Sequence, residues 1–350
     1  MKKKIISFFA VLVMLFCIVL PANADNFKNV VVFGDSLSDS GNIFSISNNT
    51  YPAQPYQGRF SDGPVWVEYL VKSLGISGIF SNYAFAGANT GLTNPAELDA
   101  PGFLTQVPAY TGLLTASAAF PTAVPQPKDT LFIVWIGAND FLGTLTDPAA
   151  AVTDAITNIK TGMTQLINLG ATQFISVNLP DLGLTPRMNT DATAAAGGTQ
   201  LASLFNSSLN TMLDELESAY PSIEIARFDV FSLLQEINAD PGSWGFINVT
   251  DAKLDKNTGT VAQGNYLFWD DIHPTTMAHK IIANQVAAIV AQKFGCTGQP
   301  DVDTTTLKFT VPYAEFGNND YSFQLDYYQN PADPAGYYWK LDTSSLIKAQ

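Results

Sequence analysis

Along residues 29–294, short runs of wholly apolar residues alternate with longer stretches of helical spacing. Val30, Val31, Val32 and Phe33 form one run, stopped by Gly34, and Leu131 to Ile136 form another, apolar at odd and even positions alike. A strand with one wet face alternates in character, whereas one buried on both faces does not. These runs therefore predict strands in a sheet covered on both sides. Residues 172–177 and 223–228 read as further strands, and 81–87 as a shorter one ending at Gly87. Helical spacing covers 64–74, closed by Gly75, then 149–169, closed by Gly170. It returns over about 201–219 and over 274–294, where Pro274 suits the first helical position and Gly295 the stop. Strand and helix alternate throughout, which predicts an α/β fold on a parallel sheet.

Three stretches stand outside this alternation. Residues 43–60 are rich in Asn, Ser, Pro and Tyr, and 92–128 carry six prolines and no sustained period. Both read as loops, the second with at most one helical turn; connections of that length are usually lids or binding loops. After Gly295 the composition changes, with ten aromatic residues in short alternating segments over 297–350. Leu307, Phe309 and Val311 share one parity, as do Tyr321, Phe323, Leu325 and Tyr327 after the 317–320 turn, and Tyr337, Trp339 and Leu341 offer a third strand. A small β-rich appendage over 296–350 is the expectation, covering part of the main sheet or, alternatively, binding something.

Residues 1–24 read as an address rather than as fold. Lys2, Lys3 and Lys4 precede an apolar run of 16 residues from Ile5 to Leu20, followed by Pro21 and Ala22-Asn23-Ala24. That is the layout of a secretory signal peptide, and the run falls short of the roughly 20 residues a membrane span needs. The expected organisation is a leader at 1–24, a main domain at 25–295 and the appendage at 296–350, in a protein exported to the periplasm or the medium. Without the three leader lysines the net charge moves from −14 to −17. Such an acidic chain repels phosphate backbones, which excludes nucleic acid as a partner and gives no support to charge-driven binding to anionic lipid. Cys17 leaves with the leader and Cys296 stands alone, so no intramolecular disulfide is expected.

Ligands of parallel α/β sheets bind past the C-terminal ends of the strands. Ser36 lies there, two residues after Gly34, and its hydroxyl is either a nucleophile or a helix N-cap. A base must come from His273 or His279, the two histidines of the chain. Asp270 precedes His273 by three residues in a turn, so its carboxylate can curl back to Nδ1 and leave Nε2 free as a base. The competing reading is a surface turn in which Asp270 or Asp271 caps the last helix, while His279, inside that helix, reads as a surface or packed residue. Acyl transfer also needs oxyanion donors. The N–H groups of Ser36 and Gly87 and the side-chain amide of Asn139, all past strand ends, are the candidates.

These residues resemble those of the GDSL, or SGNH, hydrolases. Gly34-Asp35-Ser36-Leu37 is similar to the name-giving motif. Ser36, Gly87, Asn139 and the Asp270–His273 pair fall in the order of the family's four blocks, over about 29–294. Gly58-Arg59-Phe60-Ser61-Asp62-Gly63 further resembles the secreted lipolytic, lecithinase- or haemolysin-like branch. The resemblance implies a flavodoxin-like three-layer fold and hydrolysis of carboxylic esters through acyl-Ser36, with acyl transfer to another alcohol as a variant. It implies Ser36, His273 and Asp270 as the catalytic set and Ser36, Gly87 and Asn139 as the oxyanion hole. No metal or organic cofactor is implied. The partner is a small-molecule or lipid ester with transient contact to a membrane surface, and no obligate protein partner. The reading from another class is a secreted, non-catalytic binding protein on the same scaffold, using the aromatic C-terminal segment. Phosphoryl transfer ranks below both, because no P-loop occurs and the acid after Asp35 is Asp39.

Overall fold

The computed structural model describes residues 27–295, apart from 77, 95–98, 117–123 and 144, and the backbone of 302–303, 308–316, 319–329 and 337–348. The leader at 1–24 and Cys296 lie outside the described residues. Five strands, β1 (Asn29–Gly34), β2 (Phe80–Asn82), β3 (Thr130–Trp135), β4 (Gln173–Val177) and β5 (Glu224–Phe228), form one sheet. All pair in parallel, in the order β2-β1-β3-β4-β5, which is the flavodoxin-like order. Among the described residues, six helices longer than the five-residue Asn42–Ile46 flank it: α1 (Trp66–Leu74), α2 (Phe103–Ala116), α3 (Pro148–Asn168), α4 (Ala192–Ala219), α5 (Val230–Ala239) and α6 (Thr276–Phe294).

Successive strand residues point to opposite faces, so each central strand feeds two cores. Val30, Val32, Leu131, Ile133 and Trp135 pack with α1, α5 and α6. Val31, Phe33, Phe132 and Val134 pack with α2, α3 and α4 on the other side. That is why both parities are apolar in the sequence. Trp66 of α1 and Trp135 of β3 meet edge to face at 5.4 Å, a pairing that contributes about 0.5–1.5 kcal/mol beyond the area it buries. The sheet order reverses at β1, with β2 on one side and β3 on the other, which places a crevice past the ends of β1 and β3.

Four expectations need correction. Within 92–128 there is a full helix, α2, where a loop was expected. Pro108 hides its period, yet Phe103, Val107 and Tyr110 are all fully buried along one face. The strand expected at 81–87 is only Phe80–Asn82, so Gly87 does not end it. The Asn82 side chain turns to the Ser38 carbonyl and the Ala84 N–H instead. The chain still runs beside β1, with Tyr83 N–H on Val32 O and Phe85 N–H on Gly34 O, and this delivers Gly87 to the same edge. Helix α4 begins at Ala192 rather than near 201, capped by Asp191 through Ala194 N–H. Gly198 lies in its extra turns, where a side chain would strike the backbone of Gly183 at 2.9 Å. Finally, Pro274 is not the first residue of α6; Thr275 is the cap, and Pro274 bridges to Phe268.

The C-terminal segment forms a second sheet of β8 (Val302–Asp303), β9 (Lys308–Phe316), β10 (Asn319–Gln329) and β11 (Tyr337–Lys348), antiparallel in that order; β6 (Asn248–Ala252) and β7 (Tyr266–Phe268) form a separate parallel pair. Phe309 registers with Leu325 and Leu325 with Leu341.

Candidate active site

Gly34 closes β1 at a point where a Cβ would lie 2.7 Å from the Trp135 carbonyl, so only glycine lets the chain turn there. The Gln106 side chain of α2 holds that turn through Gly34 N–H at 3.0 Å and Gly34 O at 2.8 Å. The next residues fold into a tight turn, with Ser38 and Asp39 N–H on the Asp35 carbonyl. Ser36 thereby stands at the sheet edge. It caps no helix, and its Oγ lies 2.8 Å from His273 Nε2.

His273 comes from the turn between β7 and α6. Trp269 N–H donates to the His273 carbonyl at 2.7 Å, and Thr275 N–H to Leu267 O at 2.9 Å, which pins both sides of the turn. Asp270 curls back as its spacing predicted: Oδ2 is 2.8 Å and Oδ1 3.0 Å from His273 Nδ1. Oδ1 also accepts the N–H groups of Ile272 and His273, and Oδ2 accepts the Tyr56 hydroxyl at 2.7 Å. Burial alone would raise the Asp270 pKa, but His273, Lys256 and the Ile272 N–H hold it well below the usual carboxylate range. A carboxylate this well satisfied stays ionised and keeps the Nδ1 proton on the side facing it.

Gly87 and Asn139 line the same cleft as Ser36 and His273. Gly87 sits at φ 81°, a left-handed conformation suited to glycine. Asn139 lies on a 3-10 turn, Ala138–Phe141, straight after β3, and donates one amide hydrogen to Ala88 O at 2.8 Å. Its second amide hydrogen is then available to the cleft. Two carboxylates that sequence reasoning passed over lace these corners together. Asp39 accepts Gly41 and Asn42 N–H from the nucleophile turn and Ala86 N–H at 2.8 Å from the Gly87 turn. Asp140 accepts the N–H and hydroxyl of Thr90, which ties the Asn139 turn to the same loop. Burial raises the pKa of both despite these donors. Asn139→Ala should fold normally and turn over an ester roughly 10²–10³-fold more slowly, the usual cost of one oxyanion donor. Steady-state kinetics on the purified variant checks this, and activity within a factor of a few would make Asn139 a turn residue only.

Two cavities meet at Ser36. One, of about 430 Å³, opens over Ser36 and His273 and is lined in part by Tyr51, Phe60, Asn94, Arg187 and Lys256. The other, of about 50 Å³, leads inward between Trp135, Leu182, Val230, Leu234, Phe268 and Ile282. Asp35 also faces the inner cavity; its Oδ2 is buried without a partner, and burial pushes its pKa up to about 7. At the mouth, Asp271 pairs with Arg187 at 2.7 Å and Lys256 at 2.5 Å rather than with His273. His279, fully buried in α6, takes no part in this set, and burial pushes its pKa down to about 3. Tyr56, Arg187 and Lys256 were invisible to sequence reasoning, since single loop residues carry no period or spacing.

The match to a family of lipases and acylhydrolases identifies a carboxylic ester hydrolase. The chain belongs to the GDSL-like lipase/acylhydrolase family, whose model matches residues 30–286. It is 27% identical over 282 residues to the thermolabile hemolysin of Vibrio parahaemolyticus, covering 75% of this chain and 63% of that protein. It is 24% identical over 319 residues to the phosphatidylcholine-sterol acyltransferase of Aeromonas hydrophila, covering 77% of this chain and 91% of the relative. Among solved structures, the carbohydrate acetylesterase Est24 of Sinorhizobium meliloti superposes with a TM-score of 0.43 at 16% identity, over 76% of this chain and 99% of that one. Among the described residues, no helix is long and apolar enough to cross a membrane.

Proposed function

We propose that this protein is an exported serine hydrolase that cleaves lipid or other acyl esters through an acyl-Ser36 intermediate. The observation that carries the reading is the unbroken chain from Ser36 Oγ to His273 Nε2 and from Nδ1 to Asp270, each link 2.8 Å. Ser36 Oγ attacks the ester carbonyl while His273 takes its proton, and Asp270 stabilises the imidazolium. The Ser36 and Gly87 N–H groups and the Asn139 amide receive the oxyanion. His273 then returns the proton to the leaving alcohol, and water or an acceptor alcohol releases the acyl group.

The small apolar inner cavity suits the first carbons of an acyl group, and the wider polar cleft suits the leaving alcohol and the incoming acceptor. The phosphatidylcholine-sterol acyltransferase among the relatives favours lipid esters and allows transfer beside hydrolysis. Residues 25–295 are the catalytic unit in this reading, with 296–350 an addition to it. The leader-like residues 1–24 support export, as do relatives such as the secreted effector protein SseJ of Salmonella typhimurium. A panel of acyl esters and phospholipids, with fatty-acid release followed in the presence and absence of an acceptor alcohol, tests the function. Release from acyl esters is expected, partly diverted to a new ester when the acceptor is present. No turnover on any ester would leave the binding-protein reading standing instead.

A further inference from the structure

The Gly58–Gly63 block supplies no reacting atom, yet it and the preceding Tyr56 touch the catalytic turn at Asp270, His273, Pro274 and Thr276. Phe60 packs its ring 5.0 Å from that of His273. The Ser61 hydroxyl donates to the Pro274 carbonyl at 3.0 Å, and Asp62 accepts Thr276 N–H at 2.7 Å and pairs with Lys253 at 3.1 Å. The Ser61 and Asp62 bonds to Pro274 and Thr276 clasp the residues on the C-terminal side of His273. Tyr56 completes the clasp on the other side, at Asp270.

We propose that Tyr56 is a positioning residue for the catalytic pair, its hydroxyl holding the Asp270 carboxylate against His273 and offsetting part of its charge. The proposal rests on the reading of Ser36 and His273 as nucleophile and base. Asp270 is wholly buried, and a buried carboxylate needs donors for both oxygens. Oδ1 has two backbone N–H groups besides the imidazole. Oδ2 has the imidazole, Tyr56 at 2.7 Å and Lys256 at 3.4 Å. Lys256 is longer in reach, half exposed and also engaged by Asp271 at 2.5 Å. Tyr56 is thus the closer of the two side-chain donors besides the imidazole. Its ring is held edge-on to Trp269 at 5.9 Å and tilted against Phe60 at 5.7 Å. Burial, then the charge of Asp270, push its phenol far above the ordinary value, so it remains a donor.

The sign of the effect follows from charge. A hydrogen bond into Asp270 drains negative charge that would otherwise stabilise a protonated imidazole. The other charged or titratable groups around the pair are Lys256, Asp271 with its partner Arg187, buried Asp35, and His279, which burial keeps neutral. Tyr56→Phe leaves each of these groups chemically unchanged. Taking that hydroxyl away favours the imidazolium, which cannot accept a proton from Ser36. A role confined to packing would instead scale the rate equally at every pH.

The experiment is kcat and KM across pH for the parent and Tyr56→Phe on a soluble acyl ester, with thermal melts of both. The acid limb of the rate profile should move up by about half a unit to one unit, costing up to about ten-fold in kcat on that limb, with KM and the melt little changed. Site-specific 3,5-difluorotyrosine at position 56, a stronger donor in the same shape, should move the limb the opposite way. Profiles that superimpose on the parent after scaling, or a limb that moves up with the fluorinated residue, would overturn the proposal. Ser36→Ala run alongside separates the two failures: activity surviving in that variant would sink the nucleophile reading itself.

Discussion

Ser36→Ala should fold like the parent and lose ester turnover by on the order of 10⁴-fold or more, the scale on which triad members act as a unit. The side chain is small and its Oγ bonds only to His273 Nε2 among the described contacts, so little stability leaves with it. What leaves is the atom that forms the acyl bond. The N–H of residue 36 and the other oxyanion donors stay in place, which is why a small residual rate over water is expected rather than zero. Matching melts with a rate near the parent's would mean that the hydroxyl is not the nucleophile.

Asp270→Asn should cost on the order of 10⁴-fold in kcat while the fold survives, and its neighbour Asp271→Asn should cost no more than a few-fold. The geometry gives the reason. Oδ1 of Asp270 accepts two backbone N–H groups, at 2.9 and 2.8 Å, so an amide would keep its oxygen there. Its NH₂ would then stand where Oδ2 does, 2.8 Å from Nδ1 and facing the Tyr56 hydroxyl. A donor at that place demands an unprotonated Nδ1, which puts the proton on Nε2 and leaves nothing to accept from Ser36. Asp271 has no such hold: it faces Arg187 and Lys256 at a partly exposed rim, where single ion pairs contribute little. Initial rates for the two variants decide it, and an Asp271 effect larger than that of Asp270 would contradict this assignment.

The parts of this site that were legible in the sequence are those written locally. The β1 and β3 runs are apolar at every position because both faces of the sheet are covered, and that pattern places Ser36 and Asn139 past strand ends without further information. The three-residue spacing of Asp270 and His273 likewise encodes their contact. What was not legible depends on partners far along the chain. Helix α2 is hidden by Pro108, and its Gln106 is needed only because it reaches the backbone of Gly34, 72 residues away. The reach of Gly87 to the cleft depends on the Asn82 side chain holding the Ser38 carbonyl, 44 residues away, and Tyr56 meets Asp270 across 214 residues. No period or local motif marks such contacts, because the fold makes them.

The acyl-Ser36 intermediate is tested most directly by reacting the purified protein with a fluorophosphonate and mapping the modified peptide by mass spectrometry. One phosphonyl adduct on Ser36 is expected, with activity lost in step with labelling and no adduct in Ser36→Ala. Labelling of another serine, or full ester turnover in a protein that takes no label, would contradict the account.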